Sequence, residues 1–312
     1  LAQTELMIKK LEDNYSLCNI SVVDMGLEPD QKKLPRKSSI SLKNYLVYPT
    51  VYYPHKHIEI LLEVAELIKE NKIAGRIADH WKSLELIKTS KKKYCLIHSK
   101  EINHLKGSSQ NKRVVDVLNN VEKVIANSEY TKNLAIKNGV NEEKIIVINP
   151  GIDPVKETDK KTLEKVESLL KIKTPRLITV SRFDKRKNHE KVIMALRNLK
   201  QIYPNIVYIC VGYGEEEGNI KKLVKELELE AQVMFFKDIG DDLKNALVAK
   251  SNIFVMPSII HKKSVEGFGI AYLEAAQYGV PSIGGKDGGA SDVINHDKTG
   301  MICDGNNLDD IY

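Results

Sequence analysis

The chain has 312 residues, a length typical of two domains of about 150 residues each. Its composition, 42% hydrophobic and 29% charged residues, is that of a folded globular protein and excludes the disordered, collagen-like and coiled-coil classes. The net charge of +6 is a mild excess, and no basic stretch carries interleaved aromatic residues, so we expect no nucleic-acid partner. Contact with an anionic membrane surface stays open as a peripheral interaction.

The apolar runs and the cysteines bear on where the protein works. The longest apolar runs are the length of strands, so no transmembrane segment is expected. The first residues lack the pattern of a secretory signal. Four widely separated cysteines (Cys18, Cys95, Cys210 and Cys303) follow no zinc or redox spacing. We therefore expect reduced, mostly buried thiols in a cytoplasmic protein, with the inner face of the membrane as its possible place of contact.

Strand-like and helix-like segments alternate along the first half of the chain, which is typical of a parallel sheet with crossover helices. Apolar residues at helical spacing predict a helix over 58–68. Ser128 is expected to cap a helix that ends at Gly139. Short apolar runs predict strands at 77–78, 94–97, 123–126 and 144–148.

Residues 149–154, with two prolines and a glycine, interrupt this alternation. We therefore place the domain boundary there and predict an N-terminal domain over 1–150 and a C-terminal domain over 151–312.

The alternation resumes in the second half with a charged helix over 159–171 and a helix capped by Asn188. Further helices are predicted at 219–227 and 241–250, and strands at 176–181, 206–211, 233–236 and 253–256. This series predicts a doubly wound α/β sheet. Two such domains imply a cleft in which ligands bind at the carboxyl ends of the strands.

Two glutamates flank a pair of glycines at a predicted helix start in the second half. The backbone N–H groups of Gly267, Phe268, Gly269 and Ile270 can bind a phosphate there. The carboxylates of Glu266 and Glu274 are instead suited to accepting hydrogen bonds from hydroxyls, and a ligand with both groups is a nucleotide sugar. The alternative is that Glu266 only caps the helix and Glu274 is a solvated helix residue.

A basic turn follows the first strand of the second half. Two of the seven arginines, Arg182 and Arg186, lie in this turn beside Lys185 and Lys187. Arg182 and Lys187 would make charge-assisted bonds to a diphosphate and stabilise it as it leaves, a task that otherwise falls to a metal ion. The alternative is a solvated basic loop.

Several motifs in this order resemble the retaining glycosyltransferases of family 4, which have the GT-B fold of two facing Rossmann-like domains. The resemblance covers about residues 121–305. Its elements are the motifs at 126–131 and 149–153, the basic turn 181–188, Gly212-Tyr213-Gly214, Pro257-Ser258, the two glutamates with seven residues between them, 279–281, 288–289 and 299–300. Glu266 and its neighbours look most like the branch that contains the phosphatidylinositol mannosyltransferases.

The resemblance implies that a hexose, with mannose as one candidate, is transferred from a nucleotide-sugar donor to an acceptor hydroxyl with retention of anomeric configuration. Neither a metal nor a cofactor is implied, and the acceptor would be a sugar or a lipid-linked molecule. Arg182 and Lys187 match the positions that bind the diphosphate. Glu274 matches the position that binds the ribose, and Glu266 with residues 267–270 the position that binds the donor sugar and phosphate. His98 looks like the N-terminal histidine that reaches the donor sugar. GDP-sugars and UDP-sugars both remain open as donors.

Two other functions stay open: a nucleotide-sugar epimerase of the same fold, and an inactive nucleotide-sugar-binding fragment. The resemblance also implies that the family's first strand, its glycine-rich loop and its closing helices are missing, so we expect a chain truncated at both ends. The N-terminal domain would bind the acceptor and the C-terminal domain the donor. Trp81 could stack on a sugar there, but a half-buried packing role is favoured.

Overall fold

The computed structural model describes residues 45–47, 73–85, 92–152 and 158–312, with side chains omitted for 45–47 and 73–76. The described residues form two compact units that divide between Gly151 and Ile152, although Ser128–Tyr130 group with the second unit. The predicted helix over 58–68 and Cys18 lie outside the described residues.

The first unit is built on a parallel sheet with strand order β1-β2-β3-β4-β5. Its strands are β1 Tyr45–Val47, β2 Ile73–Ala78, β3 Lys92–Ile97, β4 Lys123–Ala126 and β5 Ile145–Val147. Its helices are α1 Trp81–Glu85, α2 Ser109–Asn119 and α3 Glu129–Asn138, the last with its first two residues in the second unit. Val114 and Leu118 of α2 pack on the strands because they lie on one face of the helix, four residues apart.

The second unit is a doubly wound parallel sheet with strand order β11-β10-β9-β6-β7-β8. Its strands are β6 Arg176–Val180, β7 Val207–Val211, β8 Val233–Phe236, β9 Ile253–Met256, β10 Ser282–Gly285 and β11 Gly300–Cys303. Its helices are α4 Lys160–Leu169, α5 His189–Ile202, α6 Glu217–Glu226, α7 Asp241–Ala249, α8 Ile270–Gln277 and α9 Leu308–Ile311.

Helices cover both faces of this second sheet, which explains why its strands are continuous apolar runs. All five residues of β7 are buried. Val207 and Ile209 pack with Leu247 of α7 on one face, while Tyr208 and Cys210 belong to the cluster of α5 and α6 on the other. None of the helices in the described ranges is long and apolar enough to cross a membrane.

The strand order of the second unit reverses direction between β6 and β9. From β6 the chain adds β7 and β8 on one side, and then returns to place β9 on the other side of β6. The helices that follow β6 and β9 (α5 and α8) pack on opposite faces of the sheet, and doubly wound proteins bind ligands at the carboxyl ends of such a pair of strands.

Three expectations need adjustment against this fold. The predicted helix over 159–171 is shorter, since α4 ends at Leu169 with Leu170 as its C-cap. Asn188 precedes α5 but makes no capping hydrogen bond, because its backbone is left-handed and its side chain is used elsewhere. Trp81 is buried rather than half-buried, and its ring nitrogen donates to the carbonyl of Glu101, which confirms the packing role.

Cys95, Cys210 and Cys303 are free and buried, as expected.

Candidate functional site

The basic turn and the glutamate segment meet at the carboxyl ends of β6 and β9 in the second unit. The basic turn leaves β6 and the glutamate segment follows β9, and these two strands pair directly, with Leu177 opposite Ile253 and Ile178 opposite Phe254. The sheet thus brings together two segments that are distant in sequence, since Lys187 and Glu266 are separated by about 80 residues.

The basic turn is shaped by two side chains. A carboxylate oxygen of Asp184 accepts a hydrogen bond from the Lys187 backbone N–H at 3.2 Å and starts a short 3₁₀ turn over Lys185–Lys187. Asn188 ends that turn with a φ of 62°. Its amide Nδ2 donates to the carbonyls of Pro257 at 2.9 Å and Gly305 at 2.8 Å, so the turn is fixed to the segment that follows β9.

Glycines allow the glutamate segment to lie close to its neighbours. The backbone N–H of Gly289 donates to the carbonyl of Glu266 at 2.8 Å, and a Cβ on Gly289 would lie 2.2 Å from the carbonyl oxygen of Gly267. Gly269 has a φ of 95° and is the residue before α8. A side chain at Gly289 would separate it from Gly267, and one at Gly269 would meet the Tyr272 ring at 2.4 Å in a backbone conformation that favours glycine. Gly267, Phe268 and Gly269 are buried, and Ile270 is half-buried as the first residue of α8.

The site contains one carboxylate shared by two cations. Oε2 of Glu266 accepts from Nζ of Lys187 at 2.5 Å and from Nη1 of Arg186 at 2.6 Å. The side chains of Lys187, Glu266 and Arg186 are only 11%, 12% and 13% exposed. Arg182 lies differently, since its side chain is 72% exposed and pairs with Asp184 at 3.2 Å.

Burial and charge both act on this cluster. Burial lowers the pKa of Lys187, and the charge of Arg186 lowers it further, while Glu266 opposes the shift. Burial by itself would raise the pKa of Glu266, but Lys187 and Arg186 together outweigh it, so the pKa of Glu266 is lowered and the carboxylate stays ionised. Three cations (Arg182, Arg186 and Lys187) thus face two carboxylates, and the excess positive charge suits an anionic ligand.

The other predicted residues lie outside this cluster. Glu274 is half-buried on α8, and its pKa is raised by burial, with Lys244 opposing and Asp241 reinforcing the shift. His98 belongs to the first unit, where it follows β3 with an exposed side chain, and its backbone N–H donates to a carboxylate oxygen of Glu101. The structure therefore brings together Lys187, Glu266 and residues 267–270 within the second unit.

Arg186 is the member of the cluster that sequence reasoning missed. Four basic residues occur within six positions of the turn, and periodicity does not say which of them turns inward. The sequence carries no signal that separates Arg186 from Lys185, because successive side chains of a 3₁₀ turn point about 120° apart and only packing decides which one turns inward.

Comparison with known proteins identifies the class of the fold. The structure of Anabaena HepE in complex with UDP covers 80% of this chain and 70% of its own, with a TM-score of 0.67 at 21% identity. This similarity confirms the α/β GT-B fold expected from the sequence.

The family follows from sequence profiles. The profile described as Glycosyltransferase Family 4 matches residues 38–156, and the profile described as Glycosyl transferases group 1 matches residues 160–312. Only residues 1–37 and 157–159 are left unmatched. The chain belongs to the family 4 glycosyltransferases.

Two curated relatives show how far the similarity extends. Over 137 residues the chain is 31% identical to the GDP-mannose-dependent alpha-(1-6)-phosphatidylinositol monomannoside mannosyltransferase of Mycobacterium tuberculosis (strain CDC 1551 / Oshkosh), covering 43% of this chain and 36% of the relative. Over 128 residues it is 34% identical to the N-acetyl-alpha-D-glucosaminyl L-malate synthase of Bacillus anthracis, covering 41% and 32% respectively. The matches therefore span about a third of the length of these relatives.

Proposed function

We propose that the protein is a retaining hexosyltransferase that transfers a sugar from a nucleotide-sugar donor to an acceptor hydroxyl, without a required metal. The observation that carries the proposal is the buried cluster of Lys187, Arg186 and Glu266 at the switch point of the second sheet. It offers cations to a diphosphate and a carboxylate to sugar hydroxyls. The HepE complex with UDP and the GDP-mannose-dependent relative support a nucleotide-sugar donor.

Each predicted residue has a role in this proposal. Lys187 and the exposed Arg182 bind the donor diphosphate, and the N–H groups of residues 267–270 bind a phosphate oxygen. Glu266 accepts from hydroxyls of the donor sugar, while Glu274 accepts from the ribose. His98 of the first unit contacts the donor sugar, and the first unit binds the acceptor.

The chemistry follows from where charge develops. As the bond between the sugar C1 and the diphosphate oxygen breaks, positive character grows on the sugar and negative charge on the leaving diphosphate. Lys187, Arg182 and the α8 N-terminus stabilise that negative charge in a site that is already positive, so cationic side chains take the place of a metal. The acceptor oxygen bonds to C1 on the same face, and its proton passes to a leaving phosphate oxygen, which gives retention.

The donor and the place of action are further parts of the proposal. A GDP-sugar, with mannose as the hexose, is the first candidate, because the mycobacterial relative depends on GDP-mannose. UDP-sugars are the second candidate, because HepE binds UDP. The acceptor is a sugar or a lipid-linked molecule, and the enzyme works in the cytoplasm with peripheral contact to the membrane surface.

A donor panel tests the function. The full chain is incubated with UDP-, GDP- and ADP-sugars, with and without a membrane lipid extract as acceptor, and nucleotide release and thermal shift are followed. A transferase releases nucleotide and raises its Tm with one donor class. An epimerase converts a UDP-sugar without releasing nucleotide, and a binding fragment shows a thermal shift alone; either result contradicts the proposal.

Two variants test the cluster. Lys187→Ala and Glu266→Ala should each remove most turnover, at least about a hundredfold, because each takes away a group that meets the donor. Lys187→Ala leaves Glu266 paired with Arg186, so no unpaired charge is buried and the fold should persist. Lys221→Ala, which breaks an exposed ion pair on α6, is the matched control and should keep full turnover. Near-normal turnover in both Lys187→Ala and Glu266→Ala would contradict the roles proposed for these two residues.

A further inference from the structure

Arg186 links the two acidic side chains of the cluster. Its Nη1 lies 2.6 Å from Oε2 of Glu266, and its Nη2 lies 3.8 Å from Oδ2 of Asp184. The backbone carbonyl of Arg186 accepts from the N–H of Ile259 at 2.9 Å, so the residue is also held to the segment that follows β9. The guanidinium thus joins a carboxylate of the basic turn to a carboxylate of the glutamate segment.

The two cations of the cluster converge on one oxygen of Glu266. Lys187 and Arg186 both donate a hydrogen bond to Oε2, and within the described residues neither of them donates one to Oε1. A guanidinium is planar and carries several donors in a rigid arrangement, so Arg186 can donate to Glu266 with one nitrogen while another stays within ion-pair distance of Asp184. An ammonium is a point charge on a flexible stem and fixes position less well.

We propose that Arg186 is a positioning residue of the donor site: its guanidinium bridges Asp184 and Glu266, holds Oε2 of Glu266 on Lys187, and thereby leaves Oε1 for a hydroxyl of the donor sugar. This inference rests on the proposed function, since it names the group that orients Glu266 for the donor. It predicts separable effects on nucleotide binding and on turnover. The positive charge of Arg186 attracts the diphosphate, while its planar guanidinium orients Glu266.

Three variants of the full chain separate these effects. Arg186→Gln removes both charge and fork, Arg186→Lys keeps the charge without the fork, and Lys185→Gln removes an exposed charge from the same turn as a matched control. Calorimetry gives the Kd for GDP and for UDP, and nucleotide release from the donor selected by the panel gives kcat. Thermal denaturation of each variant checks that it is folded.

Binding and turnover should respond differently in these variants. Arg186→Gln should weaken nucleoside diphosphate binding about tenfold and lower kcat about a hundredfold. Arg186→Lys should bind within about threefold of wild type, yet its kcat should stay at least about tenfold low, because a lysine cannot span both carboxylates. Lys185→Gln should match wild type within about twofold in both measurements.

Several outcomes would overturn the positioning role. If Arg186→Lys restores full kcat, charge alone is sufficient and the fork has no function. If Arg186→Gln behaves like Lys185→Gln while the wild type is active, the inference fails and the proposed function stands. If the wild type binds neither GDP nor UDP, the proposed function fails and the inference falls with it. Should Arg186→Gln prove unfolded, Arg186→Lys still decides between charge and position.

Discussion

His189 should make the stability of the second unit depend on pH. It is the first residue of α5 and is buried against Phe183, with ring centroids 4.7 Å apart. Its Nε2 lies 3.5 Å from Oγ of Ser181, and its Nδ1 has no hydrogen-bond partner within the described part of the chain. Burial, and next the charge of Lys187, lower the pKa of His189 to about 4, from 6.5 for an ordinary histidine.

The magnitude follows from this difference in pKa. The unfolded chain takes up a proton on His189 as the pH falls through about 6.5, whereas the folded chain does so only near 4. Stability is therefore lost as the pH falls between these values, and the loss levels off below the lower one. A difference of about 2.5 pKa units, at about 1.4 kcal/mol each, gives a loss of about 3 kcal/mol by pH 4.

A comparison of variants isolates this contribution from the other titrating groups. The free energy of unfolding is measured in urea at several pH values between 7 and 4 for the wild type, for His189→Gln and for His261→Gln, a control from the same unit. His189→Gln should be less stable than the wild type at pH 7, because it loses buried ring packing, and the gap should close by about 3 kcal/mol towards pH 4. His261→Gln should follow the wild type. A gap between wild type and His189→Gln that stays constant with pH would refute the argument.

Two further predictions concern side chains that tie segments of the second unit together. Asn188→Ala should lower the free energy of unfolding, measured in urea, by about 2 to 4 kcal/mol, because it loses hydrogen bonds to the carbonyls of Pro257 and Gly305 and places an alanine at a φ of 62°. Asn188→Gly should lose less stability, because glycine adopts this φ without strain. An equal loss in the two variants would argue against backbone strain. Arg176→Ala should cost about 2 to 3 kcal/mol by the same measurement, since the Arg176 guanidinium donates to the carbonyls of Leu170, Lys173 and Lys250. Arg113, whose exposed guanidinium pairs with Glu85, provides the control. A smaller loss of stability in Arg176→Ala than in Arg113→Ala would contradict this reasoning.

Four of the six strands of the second sheet can be predicted from sequence, whereas β10 and β11 contain glycines, form no continuous apolar run and are not predicted. The strands at 233–236 and 253–256 have the predicted bounds, and the strand that starts at Arg176 ends one residue early. Buried strands between helices are short apolar runs with clear polar flanks, so local composition marks them well. Helix ends were harder, as α4 shows, because a charged sequence with high helix propensity does not mark where packing stops.

The ion pairs of the candidate site are harder to predict from sequence than the strands. Lys187 and Glu266 could each be selected by residue type and position, but their direct contact depends on the pairing of β6 with β9. The sequence favours Arg182 over Arg186, but Arg182 lies mostly exposed while Arg186 pairs with Glu266. The direction of each side chain is set by the short 3₁₀ turn and by the left-handed Asn188, where the sequence predicts a helix cap. Such local geometry depends on tertiary contacts with Pro257 and Gly305.

The split of the charged cluster between two distant parts of the chain limits how this protein can be recombined with its relatives. A chimera with its crossover between Lys187 and Glu266 would take the cations from one parent and the carboxylate from the other, along with mismatched anchors at Asn188 and Pro257. Crossovers placed before β6 and after Gly305 would instead transfer the cluster whole. Under the proposed function, donor preference should therefore be exchanged only when this block of about 130 residues is inherited as one piece.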